Sequence, residues 1–189
     1  MENKLFTGIV EEIGKVIRKV PVGSGYEFCV ESSKLVKSIE NGDSIAVNGV
    51  CQTVERYSEK SFFFTTVEET IKKTNLGDLK NNDFVNLESS LTLNKKISGH
   101  LVYGHVDCVG RLKSIKKQTN ATLISIEYPT NYKKYLVHVG SICLNGVSLT
   151  VADFSDNVVT CAIIPHTWEN TIFDNSKVND KINIEFDII

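Results

Sequence analysis

Cations do not outnumber acids in this chain: 21 lysines and arginines stand against 23 aspartates and glutamates, for a formal net charge of −2. A nucleic-acid or membrane-surface partner calls for a basic excess, so neither is expected. The lysine pairs Lys72-Lys73, Lys95-Lys96 and Lys133-Lys134 are scattered and read as solvated loop and strand-edge charges, with a phosphate site as the alternative. No apolar run approaches the ~18 residues of a membrane helix, and Met1-Glu2-Asn3-Lys4 opens no signal peptide. CxxC spacing is missing too, since the cysteines are Cys29, Cys51, Cys108, Cys143 and Cys161. An odd number of cysteines without a leader points to free thiols in a reducing cytoplasm, most of them small core residues. Neither GxGxxG nor a Walker sequence occurs, and nothing alternates strand with long helix, which argues against a Rossmann fold.

What the chain does contain is a copy of itself. Leu5-Phe6-Thr7-Gly8-Ile9-Val10-Glu11 matches Leu101-Val102-Tyr103-Gly104-His105-Val106-Asp107 at an offset of 96. Residues 43–90 then align without a gap to residues 140–187, at an offset of 97. Within that block Asn48-Gly49-Val50 meets Asn145-Gly146-Val147, Thr53-Val54 meets Thr150-Val151, and Asn82-Asp83 meets Asn179-Asp180. Asparagine, glycine and threonine recurring at fixed places mark a duplication, and the period is too long for a solenoid unit. The polar stretch Ser89–Gly99 is the join, giving domains at 1–96 and 97–189.

Within each half, strands dominate. Segments around Phe28 and Val30, and at Ser44–Val47, Val50–Val54, Phe62–Thr66 and Phe84–Glu88, are short and rich in β-branched or aromatic residues. Asn48-Gly49 and Asn145-Gly146 are hairpin turn signals, because both residue types tolerate positive φ. Short helices fit Ser33–Ile39 and Glu68–Lys73. About six strands in ~90 residues favours an all-β fold of two homologous six-stranded Greek-key barrels with short helices, with a sandwich as the alternative.

Three constellations could carry chemistry. Alternation along Val50–Val54 puts Cys51 and Thr53 on one face, and Ser148 and Thr150 take the same places in the second half. Small side chains there leave the strand backbone open to a flat heteroaromatic ring; the plainer reading is a packed barrel wall. Ser98–His105 holds His100 and His105, near Cys108. His-x4-His-x2-Cys on a strand scatters its side chains and has no evident fourth ligand, so no metal is expected. A base or hydrogen-bond donor is the better use of His105, beside a structural role. Finally, Thr65–Thr70 and Ala162–Thr167 each leave a strand for a helical turn, where free backbone N–H groups suit a polar ligand. Asp187 closes the strand Lys181–Asp187 and either orients a ligand or is solvated.

Read together, Leu5–Gly14, Asn48–Val54, Thr74–Leu79, Ser98–Asp107, Asn145–Val151, Ile164–Thr167 and Asn183–Asp187 resemble riboflavin synthases, over nearly the whole chain. The resemblance implies two Greek-key barrels that each bind 6,7-dimethyl-8-ribityllumazine, and a dismutation in which one lumazine passes four carbons to the other. The products are riboflavin and a diaminopyrimidine, and no cofactor or metal is required. Carried over, Gly8, Ile9, Val10, Cys51, Gln52, Thr53 and Thr65-Thr66-Val67-Glu68-Glu69-Thr70 line the first site. Gly104, His105, Val106, Ser148, Leu149, Thr150 and Ile164-Pro165-His166-Thr167-Trp168-Glu169 line the second. Ser44, Cys51, His105 and Asp187 are the implied catalytic contributors. The family also implies a homotrimer whose productive site lies between subunits. Here that assembly is expected to be weakened or absent, since the sequence stops at Ile189 where the family continues into a joining helix. A lumazine- or flavin-binding relative without turnover, similar to the bioluminescence lumazine proteins, is the alternative.

Overall fold

The computed structural model describes residues 4–189; Met1, Glu2 and Asn3, where a leader was sought, lie outside the described residues. In the first half the strands are β1 (Glu12–Val22), β2 (Gly25–Glu31), β3 (Ser44–Val47), β4 (Val50–Thr53), β5 (Arg56–Tyr57), β6 (Ser61–Thr66) and β7 (Phe84–Ser89), with helix α1 at Glu68–Lys73. The second half holds β8 (Cys108–Lys117), β9 (Thr122–Glu127), β10 (Ser141–Leu144), β11 (Val147–Phe154), β12 (Val158–Ile163) and β13 (Lys181–Phe186), with helix α2 at Pro165–Glu169. The span Ser33–Ile39, expected as a short helix, forms only a 3-10 turn at Leu35–Lys37.

The second half is a closed barrel in the order β10-β11-β12-β9-β8-β13. Its strands alternate: along β9, Thr122, Ile124 and Ile126 point inward and the residues between them are half-buried. The first half curls in the same way but is a seven-stranded sheet, β4-β3-β7-β1-β2-β6-β5. Its two ends, β4 and β5, are one strand interrupted at Val54-Glu55. The single strand β11 bridges the equivalent place with a register shift between Val151 and Asp153. A bulge in one copy has thus become a break in the other. Each half has its own core, and in the first Phe28 and Phe64 stack with centroids 5.1 Å apart. No helix among the described residues is long and apolar enough to cross a membrane.

The halves meet across a pseudo-twofold axis, hairpin turn against hairpin turn. Asn48 and Asn145 both have φ of 47°, and Gly49 and Gly146 follow at 77° and 80°. A Cβ on Gly49 would lie 2.7 Å from the Gly146 nitrogen, so only glycine lets the turns touch. Asparagines then lace the junction. The Asn86 amide donates to the Asn145 carbonyl at 2.9 Å, and the Asn183 amide donates to the Asn48 carbonyl at 2.9 Å. Each turn asparagine also accepts from its own barrel, Asn48 Oδ1 from the Asn86 N–H and Asn145 Oδ1 from the Asn183 N–H, both at 2.8 Å. The symmetry fails at one pair: Asn75 brings a side chain into the network, whereas its counterpart Ile172 offers only its backbone N–H, to Asn86 Oδ1.

Removing one of these amides strands buried partners. Asn86→Ala frees the Asn145 carbonyl and the Ile172 N–H together, and is expected to cost about 2–4 kcal/mol in urea unfolding. Lys72→Ala, which breaks the exposed pair with Glu68, should leave the midpoint almost unmoved. An Asn86→Ala midpoint equal to that of Lys72→Ala would show that the network adds no stability.

Candidate active site

Each half begins with an extended arm that crosses to the other half. The arms pair with each other at Phe6 and Val102, which exchange backbone hydrogen bonds of 2.7 and 3.0 Å. Beyond that bridge they dock on the opposite hairpin strands. The Ser148 N–H donates to the Gly8 carbonyl at 2.7 Å, and the Cys51 N–H donates to the Gly104 carbonyl at 2.9 Å. Val10 packs on the second core and Val106 on the first. A buried glutamate ties each arm back to its own barrel. Glu88 accepts from the Thr7 N–H and hydroxyl and from the Gly8 N–H, at 2.7 to 3.0 Å. Glu185 accepts from the N–H groups of Tyr103 at 2.6 Å and His105 at 3.0 Å.

Two faces result, one on each hairpin strand. On the first, Cys51 is half-buried beside Phe6, Ala46, Val102 and Cys143, with the Ser44 hydroxyl near its thiol. Thr53 is exposed next to it, and His105 projects to solvent from the arm above. Beside Ser44 opens a recess of about 810 Å³, lined by Lys4, Leu5, Asp43, Ser90, Leu91 and Lys95 among others. On the second face Ser148 is half-buried and Thr150 exposed, with Ile9 of the first arm alongside, 41% exposed. His100 Nδ1 lies 2.7 Å from the Ser148 hydroxyl. Another recess, of about 360 Å³ along the asparagine junction, touches none of the residues expected at a site.

Burial sets the charges. It pushes the Cys51 thiol up from its ordinary range, against the lowering influence of the Ser44 hydroxyl and the Lys4 charge, so the sulfur is protonated at neutral pH. It lowers His100 below its usual value, leaving that ring neutral, although the nearby Asp187 charge works the other way. The two arm glutamates differ. Burial raises both, but Glu88 has Lys95 beside it at 3.5 Å, while Glu185 has only backbone N–H donors and the repulsive charge of Asp107. Glu185 is pushed up to about 7.

The residues expected at the sites are redistributed by this geometry. Gly8, Ile9 and Val10, read from sequence with Cys51, lie against Ser148; Gly104, His105 and Val106, read with Ser148, lie against Cys51. The reason is the crossing of the arms, which a repeat alignment cannot reveal. Gln52, Thr66, Leu149 and Trp168 are buried: Thr66 donates to Gln52 Oε1 at 2.9 Å, and the Trp168 indole donates to Asp174 at 2.7 Å. Thr65, Val67, Glu68, Glu69 and Thr70 around α1, and Ile164, Pro165, His166, Thr167 and Glu169 around α2, are exposed or half-buried. The charge of Asp187 acts on His100, and Asp187 is not among the groups that act on Cys51. Glu88 and Glu185 were missed, although a carboxylate at equivalent places in two apolar strand segments, Leu87-Glu88 and Ile184-Glu185, was a readable signal.

Comparison with known proteins gives this architecture its class. The lumazine binding domain matches twice, at residues 7–90 and 103–187. The chain is 38% identical over 185 residues to the riboflavin synthase of Actinobacillus pleuropneumoniae, covering 98% of this chain and 86% of that one. Identity to the Bacillus subtilis (strain 168) riboflavin synthase is also 38%, with the same coverage. Among solved structures, LumP complexed with 6,7-dimethyl-8-(1'-D-ribityl) lumazine superposes with a TM-score of 0.86, over 96% of this chain and 98% of that chain. Its 22% identity makes that a likeness of fold. Two lumazine-binding domains in tandem define the class, and the chain belongs to the riboflavin synthase family.

Glu185 gives the fold a pH dependence. Its value near 7 stands above the ordinary 4.5, so the folded state holds the proton more tightly than the unfolded chain does. The stability from that proton is complete below pH 4.5 and is lost as pH rises through 7, by up to about 3 kcal/mol. Unfolding midpoints should therefore fall between pH 5 and 8, and Glu185→Gln should flatten that slope. An undiminished slope in the variant would assign it to other groups.

Proposed function

We propose that the two faces each hold one 6,7-dimethyl-8-ribityllumazine and that the protein catalyses their dismutation, as a riboflavin synthase. One lumazine loses its four-carbon unit and becomes 5-amino-6-ribitylaminopyrimidinedione; the other gains those carbons and becomes riboflavin. The observation that carries this reading is the duplicated hairpin face, the same backbone presented twice with different side chains, in a chain that matches riboflavin synthases almost end to end. Two copies of one substrate need equivalent cradles, while their unequal fates need unlike chemistry within them.

The side chains suit those parts. At neutral pH the Cys51 sulfur is a thiol near Ser44, so it serves the ring as a hydrogen-bonding and packing group and is not a standing thiolate. His105, exposed on the arm above it, is placed to take a proton from a ring methyl. Ser148 and Asp187 serve the second face. Because the charge of Asp187 acts on His100 of the second face, a reaction using it together with Cys51 brings the first face of one chain against the second face of another. That contact makes the working form a homo-oligomer, a trimer by the family's pattern, acting in the cytoplasm. Holding two reactants in register contributes on the order of 7–11 kcal/mol to lowering the barrier.

Incubation with 6,7-dimethyl-8-ribityllumazine, followed by riboflavin absorbance, tests the reading. Riboflavin should accumulate at one molecule per two lumazines consumed; tight binding without conversion would leave a lumazine-binding protein instead. Cys51→Ala should lower turnover while riboflavin affinity stays near wild type, at a stability cost of about 1–2 kcal/mol checked by thermal unfolding. Unchanged turnover in the folded variant would return Cys51 to the barrel wall. Specific activity should also rise with protein concentration over a hundredfold dilution series, since the assembled fraction follows mass action. A monomer with constant specific activity would mean that both lumazines meet within one chain.

A further inference from the structure

The recess of about 360 Å³ along the asparagine junction is lined by both turn asparagines, Asn48 and Asn145, which are only 1% and 2% exposed. Each Oδ1 is taken by a backbone N–H, of Asn86 and of Asn183, and this settles which way each amide points. The two Nδ2 groups are left without a hydrogen-bond partner among the described residues. Every side-chain nitrogen and oxygen sealed from solvent there does have one. These two donors are therefore not sealed, and the recess that both residues line is where they open. A pair of nearly buried amide donors, related by the pseudo-twofold axis, thus faces a cavity with no protein acceptor to meet.

Carboxylates border the same space. Asp83 and Asp180, another symmetric pair, each accept a backbone N–H on Oδ2, from Lys80 at 2.8 Å and from Lys177 at 2.7 Å. The other oxygen of each is left for a ligand. Asp78 pairs with Lys181 at 2.6 Å. The repeat departs from symmetry at Phe84, which is 51% exposed and stands where the second half has Lys181. One wall of the recess is consequently an aromatic ring. Three acids against one lysine disfavour an anion such as a phosphate. An ammonium would suit the acids but offers no acceptor to the two amides. A hydroxyl both accepts and donates, so a run of hydroxyls can take the amide N–H groups and give its own protons to the carboxylates. The C–H side of such a molecule can cover Phe84.

We infer that the junction recess binds a neutral polyhydroxylated compound, with the Asn48 and Asn145 amides donating to its oxygens and Asp83 and Asp180 accepting from its hydroxyls. A free sugar or polyol carries that chemistry, and so does the ribityl chain of lumazine or riboflavin. The site is independent of what happens at the hairpin faces.

The test follows the two side-chain amide signals by NMR in isotope-labelled protein. Asn48→Asp and Asn145→Asp assign them, since each variant keeps an acceptor for its backbone N–H and removes one Nδ2. Ribitol, D-ribose and riboflavin are titrated separately, with spermidine as the cationic control. At least one of the first three should move both signals saturably, and spermidine should move neither. Affinity should fall roughly two- to tenfold in Phe84→Ala, and in each aspartate variant as read from the amide that remains. Phe84→Ala, half exposed on the rim, keeps the test decisive if an aspartate variant does not fold. A response to riboflavin alone assigns the recess to ribityl compounds; one to ribitol or D-ribose assigns it to free polyols. Signals that none of the three moves, a saturable response to spermidine, or wild-type affinity in Phe84→Ala would overturn the inference and leave water as the partner of the two amides.

Discussion

The reciprocal hydrogen bonds between Phe6 and Val102 are the smallest sheet in the molecule, and the rest of the site hangs from them. They fix the two arms side by side, and from that fixed point each arm can reach only the hairpin of the opposite half. The carbonyls of Gly8 and Gly104 then become the edge partners of Ser148 and Cys51. Buried carboxylates behind the arms make the arrangement rigid, because each glutamate satisfies backbone donors of the arm that find no backbone partner. Aligning the faces is therefore a backbone matter, and the side chains at 51, 53, 148 and 150 are free to differ.

That division of labour explains how a symmetric scaffold supports unlike sites. The asparagine junction and the arm bridge obey the pseudo-twofold axis almost throughout. Departures gather where a ligand would sit: thiol against hydroxyl, isoleucine at 9 against histidine at 105, and lysine at 4 against histidine at 100. Lys95 adds a further asymmetry, pairing with Glu11 and Glu88 on one side, where Glu185 has no paired cation among the described residues.

Much of this was legible in the residues. The repeat located both halves, the Asn-Gly pairs located both hairpins, and α1 spans Glu68–Lys73 as its short helical period suggested. The small polar residues of β4 and β11 do share one face, as strand alternation requires. Strand β1 was harder to see, since Glu12–Val22 mixes charges with a proline and shifts register between Val16 and Arg18. The assignment of arms to faces was not legible at all. A repeat alignment pairs Gly8 with Gly104 whether each arm stays at home or crosses over, and only the three-dimensional contacts distinguish the two.

The crossing has a consequence for how such a chain comes to exist. Each half offers an arm without a hairpin of its own to receive it, and a hairpin without an arm. A single half is thus self-complementary in the manner of a swapped dimer, with two identical copies lending each other an arm about a true twofold axis. Fusing two such copies head to tail preserves every one of those exchanges and changes only the connection between them. What fusion adds is permission for the two cradles to diverge: a homodimer must carry every substitution twice, whereas the fused chain carries serine in one cradle and cysteine in the other.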